Sequence, residues 1–344
     1  MVIIDAHSHL WMRQNTIVDG QPIRTLSPNG SRSTFFGHEV QMLPPFMIDG
    51  QNSAEVFLSN MDYAQVGGAV VVQEIIDGMQ NDYLLEVQQR HPDRFFCYAM
   101  PELRPVQRRA RGLMDPLTQT KQLFENGFRG IALPGHRLFA PGQLEINSPE
   151  MMEVYQFLQD NKGFLSICLY EGDYHVKQME EIIQTCPRLK VIIGHFGMVT
   201  VKGWQEQIKL ARNKNVYVES GGITWLFNSE FYPFLGAVRA IREAMDLVGA
   251  DKLMWGSDYP RTITAITLRC RTTSCSKILN IYFLRTRKRS SSASMPRSCM
   301  ALTRFPIYPI SRICRSSFYY SLFSFSSFSR YSRYSRFSRA TSTN

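Results

Sequence analysis

Acidic residues are missing from position 269 to the end of this 344-residue chain. All 29 Asp and Glu fall in residues 1–268, where 24 Lys and Arg leave a net charge of −5, whereas residues 269–344 carry 15 Lys and Arg and a net +15. The overall +10 therefore describes a tail. The first part reads as a slightly acidic soluble protein, not as a nucleic-acid or membrane-surface binder. No apolar run approaches the ~20 residues a membrane-spanning helix requires. The opening MVIIDAHSH has no basic stretch before its apolar residues and turns polar at Asp5, unlike a secretory signal. The seven cysteines are odd in number and form no CxxC pair, which argues against a disulfide framework or a structural zinc site. Cys97 and Cys168 lie in apolar runs, and Cys186 ends a helical pattern beside Pro187. Together these absences point to a reducing, cytoplasmic setting.

What is present is an alternation. Short apolar runs occur at Val2–Ile4, Ala69–Val72, Phe95–Ala99, Gly130–Leu133, Leu165–Leu169, Val191–Ile193, Val216–Glu219 and Leu253–Trp255. A helical pattern separates each consecutive pair, over residues 53–65, 82–90, 117–126, 149–161, 176–185, 205–212 and 232–248. Strands this short and apolar are buried on both faces, as in a parallel sheet. Eight βα units in residues 1–268 predict an α/β fold, a (β/α)8 TIM-like barrel, with a doubly wound sheet as the alternative. No GxGxxG follows the first strand, which weakens the dinucleotide-binding form of that alternative. The long connection from Leu10 to Asp49, rich in Pro, Gly and Ser, is expected to lie over the C-terminal face as a lid or substrate wall.

Chemistry-bearing residues gather at the C-terminal ends of the strands. His7 and His9 follow the first strand at i and i+2, a spacing that sends both imidazoles to one side. Imidazole is the commonest metal ligand near neutral pH, although such a pair alone is often only hydrogen-bonded. His195 follows the sixth strand, Asp258 the eighth, and His136 with Arg137 the fourth. The first and eighth strands are neighbours when a barrel closes, so Asp258 should face His7 and His9. A carboxylate there is well placed as a general base toward an attacking water. Arg137 and Arg261 suit an anionic substrate through their planar forks, with a surface salt bridge as the plain alternative for either. Trp225 and Phe227, beyond Gly221-Gly222, offer a wall for an aromatic or sugar-like ring, or simply pack the loop.

The segments IDAHSHLW, VIIGHFGM and MWGSDYPRT resemble the amidohydrolase superfamily. More narrowly they resemble its amidohydrolase-related branch, which includes aminocarboxymuconate semialdehyde decarboxylase, resorcylate-type decarboxylases and pyrone dicarboxylate lactonase. The resemblance spans residues 2 to about 267. It implies a distorted (β/α)8 barrel, often one divalent metal such as zinc, and either an attacking water or a protonation step at an unsaturated carboxylate. Position by position, His7 and His9 match the first-strand pair. His195 matches the histidine that polarises or orients substrate, and Asp258 the strand-eight aspartate that serves as metal ligand or base.

One position departs from that pattern. Metal-dependent members place a histidine after the fifth strand, where this chain reads SICLYEGDYH. Glu171 could supply an oxygen ligand there, or be a solvated loop acid, and His175 lies too far along. Zinc dependence and a metal-free site like that of the lactonases therefore stand side by side. The leading expectation is hydrolysis of a lactone, ester or amide in a small anionic substrate, with Asp258 as base. Metal-dependent non-oxidative decarboxylation, with Asp258 or His195 managing the proton, is the second. An inactive barrel with a basic interaction tail is the third. The expected partner is a small carboxylate, with no membrane and no nucleic acid, and with a homodimer admitted.

Residues 269–344 are rich in Arg, Ser, Phe and Tyr and form a second, low-complexity segment. A nucleic-acid-binding segment, a disordered linker and an out-of-frame translation all fit that composition. The genetic code favours the last. Read one base back with suitable codons, residues 271–277 give Tyr-Asp-Phe-Val-Leu-Lys. In the same frame, residues 288–302 give a stretch resembling the LGENAxxLYG ending of the family above. On this reading the helix after the eighth strand is lost, which would bare an apolar wall of the barrel.

Overall fold

A computed structural model of the protein describes residues 2–264. β1 (Ile3–Ser8) is followed by four short strands, β2 (Asn15–Val18), β3 (Gln21–Thr25), β4 (Arg32–Phe35) and β5 (His38–Gln41). Then come β6 (Val66–Val71), β7 (Phe95–Cys97), β8 (Gly130–Leu133), β9 (Phe164–Ile167), β10 (Lys190–Ile193), β11 (Val216–Glu219) and β12 (Leu253–Met254). β1 and β6–β12 each overlap a strand expected from the sequence.

These eight pair in parallel, as β1-β6-β7 and β8-β9-β10-β11-β12. Val191 of β10, for example, stands opposite Leu165 on one side and Val216 on the other. Two seams join the sheets through single bridges, Ala99 to Ile131 and Ser8 to Tyr259. At the second seam Ala6 N–H donates to Trp255 O at 2.9 Å, and Asp258 N–H donates to His7 O at 2.8 Å. The succession is that of a (β/α)8 barrel whose ladders are interrupted at these seams. Asp5 reinforces the second one. Its buried carboxylate accepts the N–H of Ser257 at 2.8 Å and that of His7 at 3.1 Å, together with the Ser257 hydroxyl.

Burial explains the apolar strands. β8 is buried throughout, and β9, β10 and β11 each bury three of four residues, as sheets covered on both faces require. The covering helices carry their own start signals. Asp115 and Ser148 cap the helices Pro116–Glu125 and Pro149–Asp160, each accepting an N–H three residues on. Proline then fills a first-turn position that needs no donor. The helix Val176–Thr185 turns Met179, Ile182 and Ile183 inward, a single apolar stripe. The last of these helices starts later than its pattern predicts, at Leu235 instead of residue 232. Pro233 disfavours helical geometry in the residue before it, and Phe234 sits at φ 56°.

The connection 10–49 is not irregular. Its four strands form an antiparallel sheet, β2-β3-β4-β5. Two of its turns are two-residue hairpins with both φ angles positive, Asp19-Gly20 between the paired Val18 and Gln21, and Phe36-Gly37 between the paired Phe35 and His38. Asp-Gly is a hairpin signal in its own right, but the strands it joins are short and half polar. The sheet is tied down by a buried relay, in which Ser33 Oγ donates to Gln14 and Gln14 Nε2 donates to Asp77, both at 2.7 Å.

Residues 261–264 are helical. The segment 269–344, for which an out-of-frame translation is expected, and the expected loss of the last helix lie outside the described residues. Among the described residues, no helix is long and apolar enough to cross a membrane.

Candidate active site

A cavity of about 360 Å³ opens at the C-terminal ends of the strands. His7, His9, His136, Arg137, His195, Trp225, Asp258 and Arg261 all line it. Glu171 does not. It is exposed on the turn after β9, and Cys168 takes the cavity wall there. His175 is a packing residue, with Nδ1 accepting the Tyr170 N–H at 3.0 Å and Nε2 against Phe139 O at 2.9 Å. Phe227 packs beside Gly236, away from the cavity. From the long connection, Phe35, Val40 and Met42 complete the wall.

At the centre three donor atoms converge. His7 Nε2 and His9 Nε2 are 3.1 Å apart. Asp258 Oδ1 is 3.1 Å from His9 Nε2 and 3.7 Å from His7 Nε2. Its other oxygen accepts the indole N–H of Trp225. His195 stands on the far side of His7, with ring centroids 4.6 Å apart. One ligand atom each of His7, His195 and Asp258 lies within 4.8 Å of the others.

Glu219, at the end of β11, organises this cluster and carried no motif in the sequence. It is fully buried, and its Oε1 accepts from His7 Nδ1 at 2.9 Å and from the His195 N–H at 2.9 Å. Oε2 accepts the Gly221 N–H. Its position at a strand's C-terminal end was the one available signal. Because Glu219 takes Nδ1 of His7, Nε2 is the nitrogen left for the cavity. Gly221 O takes Nδ1 of His195 at 2.9 Å in the same way. Backbone strain holds two of these groups in place, since His195 and Asp258 have φ of 52° and 55°. At Gly222, φ 73°, a Cβ would run into the Trp225 indole, so the loop carrying that indole to Asp258 requires glycine.

The charges follow from these contacts. Burial alone would depress His7, but the Glu219 carboxylate outweighs it and lifts the imidazole to about 9. Burial would raise Asp258, yet the His9 hydrogen bond and the imidazoles of His195, His9 and His7 hold it well below the usual carboxylate range. Glu74 behaves similarly: against its burial, Arg137 and His136 bring it to about 2. Both reach Glu74 Oε2 at 3.2 Å. Asp77 is pushed up to about 7 by burial. Arg261 is exposed at the rim and makes no ion pair among the described residues.

Two imidazole nitrogens and a carboxylate oxygen facing one another at 3.1–3.7 Å are a donor set suited to a divalent cation. The carboxylate behind His7 is the kind of outer partner such ligands carry. A family model described as amidohydrolase matches residues 4–271. The chain belongs to the amidohydrolase family. The match ends 13 residues after Asp258, the last acidic residue of the chain. No curated protein matches.

Solved structures agree on the amidohydrolase fold. A probable 2-pyrone-4,6-dicarboxylic acid hydrolase from Acinetobacter baumannii, with citric acid bound, is 18% identical with a TM-score of 0.55, over 78% of this chain and 87% of that one. A 5-carboxyvanillate decarboxylase from Novosphingobium aromaticivorans, with manganese and a nitrobenzoic acid, is 16% identical with a TM-score of 0.50, over 78% and 89%. A Burkholderia multivorans amidohydrolase with bound zinc is 12% identical with a TM-score of 0.51, over 81% and 95%.

Proposed function

We propose that this amidohydrolase hydrolyses a lactone, ester or amide bond in a small anionic substrate, with Asp258 as the base toward water. The reading rests above all on Asp258 standing 3.1 Å from His9 and 3.7 Å from His7 inside the cavity. Held far below its usual range, Asp258 is anionic throughout the neutral range and always in its proton-accepting form. A proton it accepts has a short onward path to His9 Nε2. His195, with Nδ1 occupied by Gly221 O, turns Nε2 toward the cavity, where its protonated form donates to a carbonyl oxygen gaining charge. Arg261, without an ion pair among the described residues, suits the substrate's carboxylate at the rim, and Trp225 holds Asp258 while walling the site.

His7, His9 and Asp258 would hold a divalent ion, zinc being the natural choice for two imidazoles and a carboxylate. Such an ion supplies Lewis-acid polarisation of the scissile carbonyl. Arg137 is tied to Glu74, which leaves Arg261 as the better anchor for a substrate anion. The test is a panel of carboxylated lactones, esters and amides followed by proton release. Turnover that Asp258→Asn abolishes is expected. Carbon dioxide release without hydrolysis would replace this reading with decarboxylation.

A further inference from the structure

The histidines of the centre differ in what stands behind them. His7 Nδ1 is held by Glu219 and His195 Nδ1 by Gly221 O, each at 2.9 Å. His9 Nδ1 is buried without a hydrogen-bond partner, and Asp77 Oδ2 stands 4.0 Å from it. The other oxygen of Asp77 is engaged. Oδ1 accepts from Gln14 Nε2 at 2.7 Å, and Gln14 Oε1 in turn accepts from Ser33 Oγ at 2.7 Å. All three residues are buried. The far end of this relay belongs to the cavity wall. Ser33 lies in β4 opposite Val40 of β5, and such partners point to one face of the sheet. Phe35 and Met42, two residues on from Ser33 and Val40, continue that face. Phe35, Val40 and Met42 are the side chains that this segment brings to the cavity. One carboxylate thus seats the wall with one oxygen and faces His9 with the other.

We propose that Asp77 is a positioning residue that couples the antiparallel wall of the cavity to the cation centre, through Ser33 and Gln14 on one side and His9 on the other. The proposal rests on the reading of His9 as a cation donor. A histidine that ligates through one nitrogen keeps its proton on the other, and a carboxylate behind that proton fixes the ring and raises its basicity. A divalent ion therefore binds His9 more tightly with the wall seated and Asp77 held in place than with the wall lifted. By linkage, the ion resists lifting of the wall by the same factor. A substrate packed against Phe35, Val40 and Met42 tightens the same seat, so that ion and substrate favour each other's binding.

The probe is zinc alone with the full chain, followed by calorimetry and by amide hydrogen exchange over residues 14–42. In wild type, zinc should slow exchange in this segment by about 5-fold or more, and beyond any slowing in the helix Pro149–Asp160. Asp77→Asn keeps an acceptor for Gln14 but removes the charge behind His9, and should weaken zinc by about 10- to 100-fold. Gln14→Met cuts the relay while the Gln14 backbone stays bonded to Thr25 through both its N–H and its carbonyl. It should weaken zinc by about 2- to 30-fold and leave exchange over residues 14–42 unmoved by the zinc that still binds. Ser33→Ala, the milder cut, should shift both readouts in the same direction, which keeps the test open if Gln14→Met fails to fold. Wild-type zinc affinity in the variants, or equal protection by zinc in wild type and the relay variants, would overturn the coupling and leave the cation centre standing. A wild-type chain that binds no zinc would overturn both.

Discussion

Replacing Glu219 with glutamine removes one charge from the centre of the site while keeping its shape. Glu219 satisfies three buried donors, His7 Nδ1 and the backbone N–H groups of His195 and Gly221. A glutamine presents a single acceptor oxygen, so at least one donor faces an NH₂ group. An unsatisfied buried donor costs about 1–3 kcal/mol. At ~2–4 °C per kcal/mol, the melting temperature should fall by several degrees. A second signature is pH dependence. His7 binds its proton more tightly in the fold, at about 9 against an ordinary 6.5. That stabilisation is fully present below the unfolded value and is lost as pH rises through the folded one. Over this span it amounts to about 3 kcal/mol in the metal-free protein. The assay is thermal unfolding of chelator-treated wild type and Glu219→Gln across that window. Wild type should lose more stability with rising pH than the variant, in which His136, His195 and Asp77, also raised in the fold, leave a shallower slope. Parallel curves would refute the claim that Glu219 holds His7 protonated.

Three further outcomes follow from the same geometry. Arg261→Ala should raise KM for carboxylated substrates by about 10-fold or more with kcat little changed, since a charge-assisted contact contributes ~1.5–3 kcal/mol; an unchanged KM would free Arg261 from substrate binding. Calorimetric titration with zinc should show one site, weakened by His9→Ala more than the ~10–100-fold expected of a residue behind the ligands. Equal affinity would remove His9 from the donor set. Restoring the shifted frame after residue 268 should raise solubility and melting temperature, and identical behaviour of the two chains would count against an out-of-frame tail.

The barrel was legible because its signal is local. Runs such as VIIG and GIAL are apolar on both faces, and every covering helix from residue 54 onward follows a helical period, two of them with a capping residue and proline in front. The antiparallel sheet at 15–41 was not. Its strands QPIRT and HEVQ lack clean alternation, and their pairing depends on positive φ at Asp19 and Phe36. The histidines and Asp258 were found because strand ends in this architecture converge. Glu219 and Asp77 escaped because a buried carboxylate reveals itself only through its partners. Cys168 lies in an apolar run of the sequence, which gives no sign that its side chain reaches the cavity beside Gly194.

The central claim is that His7, His9 and Asp258 form a hydrolytic centre. Its most direct measurement is kcat/KM of wild type and Asp258→Asn toward carboxylated lactones and esters, with the fold of the variant checked by circular dichroism. A folded variant about 100- to 10,000-fold less active is the predicted result. Hydrolysis undiminished in Asp258→Asn would contradict it.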